Sequence, residues 1–333
     1  MATGRKAMRT AASVLLLRPR KGIGLGVVAG QEDYEVLMLE RSDKRGSFKG
    51  AVVFPGGVVD ESDHSNSWAS FLGLSSTTQR QNLKLGALRE LFEETGVLLS
   101  DPPIMLSGEV RRGLRARVQQ DGTQFLEVCR ELAVKPDVSK LTLIQRWITP
   151  PHVPVRFDTY FFLAIANSTR GAEADGGETV RVGWLRPSQY LKLYEEQELS
   201  LLPPQYYQLS MLAGTCKLDE IIKLLESTNE DDISAWQPAL LDKSVGPGMC
   251  YPGDAAYPNE LSPSSVVVNR DARHRLYMIP MVKKNGSAAG KGMEHATGGA
   301  VLYELERSTG VPFAGDSWGG RRRGRTSSID AKL

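Results

Sequence analysis

Residues 88–97 read Leu88-Arg89-Glu90-Leu91-Phe92-Glu93-Glu94-Thr95-Gly96-Val97. At about 100° per residue, Glu94 lies about 40° to one side of Glu90 and Glu93 about 60° to the other. Three carboxylates therefore share one face of a helix, and Leu88, Leu91, Phe92 and Thr95 fall on the opposite face, which is the one for a core. Gly96 directly after the last turn is a helix stop, and the pattern predicts a helix over 84–96. Like charges one turn apart destabilise a helix by roughly 0.2–0.5 kcal/mol per pair, and Arg89 relieves only part of that. A divalent cation would relieve the rest, and oxygen-only ligands suit Mg2+ or Mn2+ rather than Zn2+. Three glutamates alone also fit a solvated acidic face balanced by Lys and Arg. Upstream, however, lies the turn Phe54-Pro55-Gly56-Gly57-Val58-Val59-Asp60, whose glycines permit close backbone approach.

Working outward, 11–18 and 34–41 read as strands of a hairpin, with the Gly-rich stretch 22–30 as its loop, and 51–54 as a short apolar strand. The basic residues Arg5, Lys6 and Arg9 before Ala11–Leu17 give a faint likeness to a targeting segment, but Arg18 and Arg20 follow at once, and a buried first strand is the better reading. Residues 108–133 are mostly helical with a turn at Asp121-Gly122. Strands are expected near 143–149, 156–166 and 179–185, and helices at 188–196, 204–213 and 217–227. Residues 228–263 read as loop, with short strands at 264–269, 274–282 and 299–305. This mixture is α+β, and neither a GxGxxG nor a GxxxxGK[ST] phosphate loop is present.

The central segment resembles the signature of the Nudix hydrolases, Gly-x5-Glu-x7-Arg-Glu-U-x-Glu-Glu-x-Gly-U, where U is bulky and apolar. Gly57 fits the first position, and Arg89, Glu90, Leu91, Glu93, Glu94, Gly96 and Val97 fit the second half. The first-half glutamate falls on Asp63, and 25 residues separate Asp63 from Arg89 where the common pattern has seven. An insertion from about 64 to 82 thus interrupts the box (57–97) and puts the role of Asp63 in doubt. Such an interrupted box is similar to that of the peroxisomal coenzyme A and acyl-coenzyme A diphosphatase branch. The likeness continues through Leu39–Ser42, Gly50–Asp60, Trp147–Pro150, Arg156–Leu163 and Pro203–Tyr207.

The resemblance implies a Nudix fold, a mixed β-sheet sandwiched between helices, over residues 10–227. A C-terminal helical/β extension follows over 228–307, either part of the same domain or a small lobe, and then a tail over 308–333. It implies Mg2+ (or Mn2+) held by Glu90, Glu94 and Glu93, with Glu93 as third ligand or base and Arg89 orienting a glutamate. Glu178, just before a strand, is the first candidate for a further ligand; an ordinary turn acid is the other reading. Gly56, Gly57, Arg41, Lys49 and Arg156, with Lys44 and Arg45, are candidates for contacts to substrate phosphates. The implied reaction splits coenzyme A or acyl-coenzyme A into adenosine 3′,5′-bisphosphate and (acyl-)4′-phosphopantetheine. ADP-ribose, NADH or an mRNA cap would be alternative substrates, and a silent nucleotide-binding module is a different class of reading. Ala331-Lys332-Leu333 is close to the Ser-Lys-Leu address, so a peroxisomal import receptor is an expected partner; mitochondrial or cytoplasmic residence is the alternative.

Composition narrows the field further. The 333 residues carry 41 Lys+Arg and 39 Asp+Glu, a formal charge of +2, which argues against electrostatic capture of nucleic acid or acidic membranes. Arg321–Arg325 reads as a solvated tail. Hydrophobic residues make up 41%, ample for a core, and no apolar run reaches the roughly 18 residues of a membrane span. Cys129, Cys216 and Cys250 and the four histidines show no ligand spacing. Tyr206, Tyr207 and Phe125 are core candidates, and the helices around 108–133 and 188–227 are candidates for an acyl or pantetheine wall. The oligomeric state is not encoded in any of these patterns.

Overall fold

Along Arg9–Pro19, Val14 and Leu16 enter one apolar cluster and Leu15 and Leu17 another, and all four are fully buried. A strand covered on both faces reads as a continuous apolar run, which is why this stretch mimics a hydrophobic leader. In the computed structural model, which describes residues 7–20, 31–42, 49–166, 172–174, 178–261, 273–280 and 301–307, this segment is β1. There follow β2 (Tyr34–Arg41), β3 (Ala51–Val53), β4 (Gly56–Val58), a 3-10 turn (Glu61–His64), α1 (Asn66–Leu72), α2 (Gln79–Thr95), β5 (Ser100–Asp101), α3 (Gly108–Gln120), α4 (Gln124–Glu131) and β6 (Lys135–Pro136). Next come β7 (Thr142–Ile148), β8 (Phe157–Ile165), β9 (Thr179–Leu185), α5 (Pro187–Glu195), β10 (Ser200–Leu201), α6 (Pro203–Ala213) and α7 (Leu218–Ser227). Beyond them lie β11 (Ala235–Trp236), β12 (Ala239–Leu240), β13 (Gly248–Cys250), β14 (His274–Pro280) and β15 (Val301–Arg307).

The main sheet runs β10-β3-β2-β1-β8-β7-β11, with β4 paired to β1 and β9 to β2. β1 lies parallel to β8, whereas β2 and β4 meet it antiparallel at its two ends. The chain thus leaves β2 at β3, crosses Pro55 and joins β1 as β4, so that Gly56 and Gly57 sit beside α2. One face of the sheet is covered by α2, α3 and α4 with Trp68 of α1, the other by α5, α6 and α7. This is the α+β sandwich expected of a Nudix fold. Among the described residues no helix is long and apolar enough to cross a membrane.

Several local expectations need correction. The helix that carries the three glutamates begins at Gln79 rather than 84, because Thr78 and Gln81 form a capping box. The inserted stretch, to which the sequence reading assigns no element, holds α1, whose Trp68 packs on Phe71 and Phe125. Residues 228–263 contain β11, β12 and β13, strands too short to show alternation. β11 extends the main sheet beside β7, and β12–β15 form a second, four-stranded sheet. Trp236, Met249, Tyr251, Leu276 and Tyr303 from this part share an apolar cluster with Trp147 and Tyr207. The candidate loop 22–30, the strand 264–269 and the tail from 308 lie outside the described residues, as do Lys44 and Arg45.

Candidate active site

The site is organised by Arg89, which is only 4% exposed. Its five N–H donors find five acceptors: Nε reaches Asp63 Oδ1 (2.9 Å), and Nη2 reaches Asp63 Oδ2 (2.9 Å) and the Val58 carbonyl (3.1 Å). Nη1 reaches Glu93 Oε1 (2.7 Å) and Glu90 Oε1 (3.0 Å). A planar guanidinium suits such two-pronged grips. Asp63 is brought there by the 3-10 turn: Asp60 caps it, the Asp60 N–H donates to Asp63 Oδ2 at 2.8 Å, and Trp68 Nε1 donates to the Ser62 carbonyl at 3.0 Å. Despite the insertion, Asp63 thus lies directly against Arg89.

Glu94 is held separately. Its Oε2 accepts from the Gly56 N–H (2.8 Å), and Arg41 Nη1 lies 3.6 Å from Oε1. Arg41 Nη2 also donates to Glu178 Oε2 at 2.9 Å, so one guanidinium bridges the helix to the segment entering β9. A Cβ at Gly57 would lie 2.6 Å from the Glu90 carboxylate, so any side chain there would displace that carboxylate.

Two guanidiniums thus face five carboxylates: Asp63, Glu90, Glu93, Glu94 and Glu178. Burial, opposed by Arg89 and reinforced by Glu93, lifts the Glu90 carboxyl to about 7. Burial raises that of Glu93 as well, again against the pull of Arg89. Burial also works against the Arg89 charge, but its pairs with Asp63, Glu90 and Glu93 outweigh this and hold it cationic. An all-oxygen set with surplus negative charge fits a hard divalent cation. The carboxylates are turned onto Arg89 and Gly56, and among the described residues no three His, Cys, Asp or Glu side chains converge as a ready-made cage.

A family profile described as the NUDT19 Nudix domain matches residues 8–85 and 80–212, which takes in every one of these groups. The chain is a Nudix hydrolase. Acyl-coenzyme A diphosphatase NUDT19 of Gallus gallus is 30% identical over 307 residues, covering 76% of this chain and 80% of that protein. The Homo sapiens protein of the same name is 30% identical over 305 residues, covering 76% and 81%. A crystal structure of a NUDIX hydrolase from Alicyclobacillus acidocaldarius superposes with a TM-score of 0.53 at 24% identity over 65% of this chain and 96% of that one, a likeness of fold.

Within this Nudix hydrolase the other sequence-derived candidates fall in different places. Lys49 is exposed just ahead of β3. Arg156 donates from Nε to the Thr149 carbonyl (2.9 Å), and its Nη2 lies 3.4 Å from Gln237 Oε1. Phe125 and Tyr207 are fully buried in the core, so neither is free to line an acyl channel. Sequence reasoning missed how Asp63 is secured. One signal was available: Gly86, in mid-helix, where a Cβ would sit 2.8 Å from Asp63 Oδ2. It also missed Arg111, Arg115 and Gln119 of α3, which meet the end of α2 and carry no motif of their own.

Proposed function

We propose that this Nudix hydrolase splits the diphosphate bridge of coenzyme A or its acyl thioesters with Mg2+ or Mn2+. The products are adenosine 3′,5′-bisphosphate and (acyl-)4′-phosphopantetheine. The observation that carries this reading is the five-point grip of Arg89 on Asp63, Glu90, Glu93 and Val58, in a chain whose relatives are named acyl-coenzyme A diphosphatases.

Glu90, Glu93 and Glu94 are the residues that would hold the cation, with Glu178 joined to them through Arg41. The bound ion supplies charge neutralisation on the phosphoryl oxygens and a water of lowered pKa. The rest of the work belongs to side chains already in place. Arg89 sets the rotamers of Glu90 and Glu93, and the Gly56 N–H sets that of Glu94. Arg89 holds Glu93 Oε1, which leaves Oε2 as the proposed third ligand or proton acceptor. Gly57 leaves the backbone bare where the diphosphate must approach Glu90. Arg41 and Lys49 are the proposed cationic partners of the substrate phosphates.

The test is product chromatography from coenzyme A, acyl-coenzyme A esters, ADP-ribose, NADH and capped RNA, with Glu94→Gln beside the wild type. Cleavage of a coenzyme A species that falls at least 100-fold in E94Q is expected. Turnover of another substrate with no cleavage of any coenzyme A species refutes the reading. A peroxisomal location is proposed from Ala331-Lys332-Leu333; a fluorescent fusion of the last twelve residues should be imported, and changing Leu333→Ala should leave it in the cytosol.

A further inference from the structure

α3 buries two arginines, Arg111 (7% exposed) and Arg115 (4% exposed), beside its apolar Leu114 and Val118. A guanidinium is buried at a high desolvation cost unless its donors are met. Those of Arg115 are directed at the end of α2. Nη2 and Nε donate to the Glu93 carbonyl at 3.0 and 3.2 Å, and Gln119 Nε2 donates to the same oxygen at 2.9 Å. Nη1 donates to the Glu173 carbonyl at 3.0 Å. Arg111 Nη2 pairs with Glu173 Oε1 at 2.7 Å, and the Glu173 N–H donates to the Thr95 carbonyl at 3.0 Å.

The last carbonyls of any helix lack intrahelical partners. Here Phe92 is served by the Gly96 N–H and Thr95 by Glu173, and Glu93 is served by α3 side chains. Gly96 opens the lane they use: it adopts φ +72°, and a Cβ there would lie 2.6 Å from Arg111 Cδ and 3.0 Å from Arg115 Cδ. Glu93 is therefore gripped at both ends by arginines of different elements, Arg89 on its carboxylate and Arg115 on its carbonyl.

We propose that Arg115, assisted by Gln119, is a positioning residue for Glu93, fixing the backbone from which that carboxylate reaches the reaction centre. The inference deepens the function proposed above and rests on it for the role of Glu93. Loss of partners that orient metal-site groups typically lowers metal affinity or activity 10–100-fold. Arg115→Met should therefore lower kcat at least tenfold with KM within about threefold, and weaken Mn2+ binding at least tenfold, measured by electron paramagnetic resonance of the free ion. Arg115→Lys, which keeps the charge but not the fork, should fall between. Arg117→Ala, on the exposed side of α3 in a pair with Glu131, should match the wild type.

An R115M protein that melts earlier yet keeps kcat, KM and Mn2+ affinity within twofold overturns the proposal, because Arg115 would then only cap the helix. If R115M yields no folded protein, R115K and Gln119→Leu decide by the same measure: wild-type values in both overturn it. Activity is read on whichever nucleoside diphosphate derivative the wild type cleaves. A wild type inert on coenzyme A esters therefore refutes the assigned substrate, while the Mn2+ titrations still judge Arg115.

Discussion

Replacing Asp63 by alanine removes two of the five acceptors around Arg89 at a point where water cannot substitute, since Asp63 is 1% exposed. Breaking a buried ion pair from one side costs about 3–5 kcal/mol. Arg89 keeps Val58, Glu90 and Glu93, which places D63A at the low end, about 3 kcal/mol. That is a large share of the roughly 5–15 kcal/mol that holds a domain together, so D63A should fold but unfold at clearly lower urea, read by tryptophan fluorescence. With Arg89 no longer braced, Glu90 and Glu93 lose their set orientation, and kcat should drop by about 10–100-fold. Asp63→Glu should not restore either value, although the common box carries glutamate here. The carboxylate already lies so close to α2 that a Cβ at Gly86 would be 2.8 Å from Oδ2, so a longer side chain at 63 would have to reset its two bonds to Arg89. D63A within 1 kcal/mol of the wild type and within twofold in kcat would refute the assignment of Asp63 as the brace of the site.

Gly57→Ala should lower kcat and weaken Mn2+ binding by tenfold or more with a melting temperature close to the wild type, because its methyl collides with the Glu90 carboxylate rather than with the core; equal metal affinity would contradict this. Glu90, held protonated up to about pH 7 by burial, favours the metal-free fold at low pH and loses that contribution as pH rises through 7. The rise in melting temperature on adding Mg2+ should accordingly grow between pH 6 and pH 8, and a flat or falling trend would count against metal binding at Glu90. His274 is buried neutral, lowered to about 4 by desolvation, with Nδ1 on the Pro252 carbonyl and Nε2 on the Tyr207 hydroxyl. The unfolded chain takes up that proton first, so stability present above pH 6.5 is lost as pH falls toward 4, about 2 kcal/mol between pH 7 and pH 5. His274→Gln should lose that part of the acid slope in urea titrations; an unchanged slope would show that His274 does not carry it.

Much of the fold was legible because its elements are long and patterned. β1, β2, β7, β8 and α2 each bury a face or two, and hydrophobic periodicity records that. The glutamates were legible because helix geometry puts them on one side, and Arg89 was legible through the resemblance of its segment to the Nudix signature. α1 was not: seven residues carry too little periodicity, and it is stabilised by Trp68 docking on Phe125 and Ser62, a tertiary event. Asp63 stood in doubt for a related reason, since spacing along the chain says nothing about a turn that folds back onto Arg89. Arg156 illustrates the converse. A cation at a strand start suggested phosphate, but the strand places it over Thr149 and Gln237. β11, β12 and β13, two or three residues each, have no alternation to read and exist because longer neighbours pair with them.

The rings of Trp147 and Tyr207 lie 5–6 Å from those of Trp236 and Tyr251, and His274 meets Tyr207, Trp236 and Tyr251 in tilted or edge-on contacts. The described residues beyond 227 are thus a wall of the same room, not an annexe. A protein shortened after residue 227 would bare two large aromatic faces and the unprotected margin of β7, surfaces that invite self-association. Trimming this enzyme to its signature-bearing part should yield inclusion bodies, not a minimal catalyst.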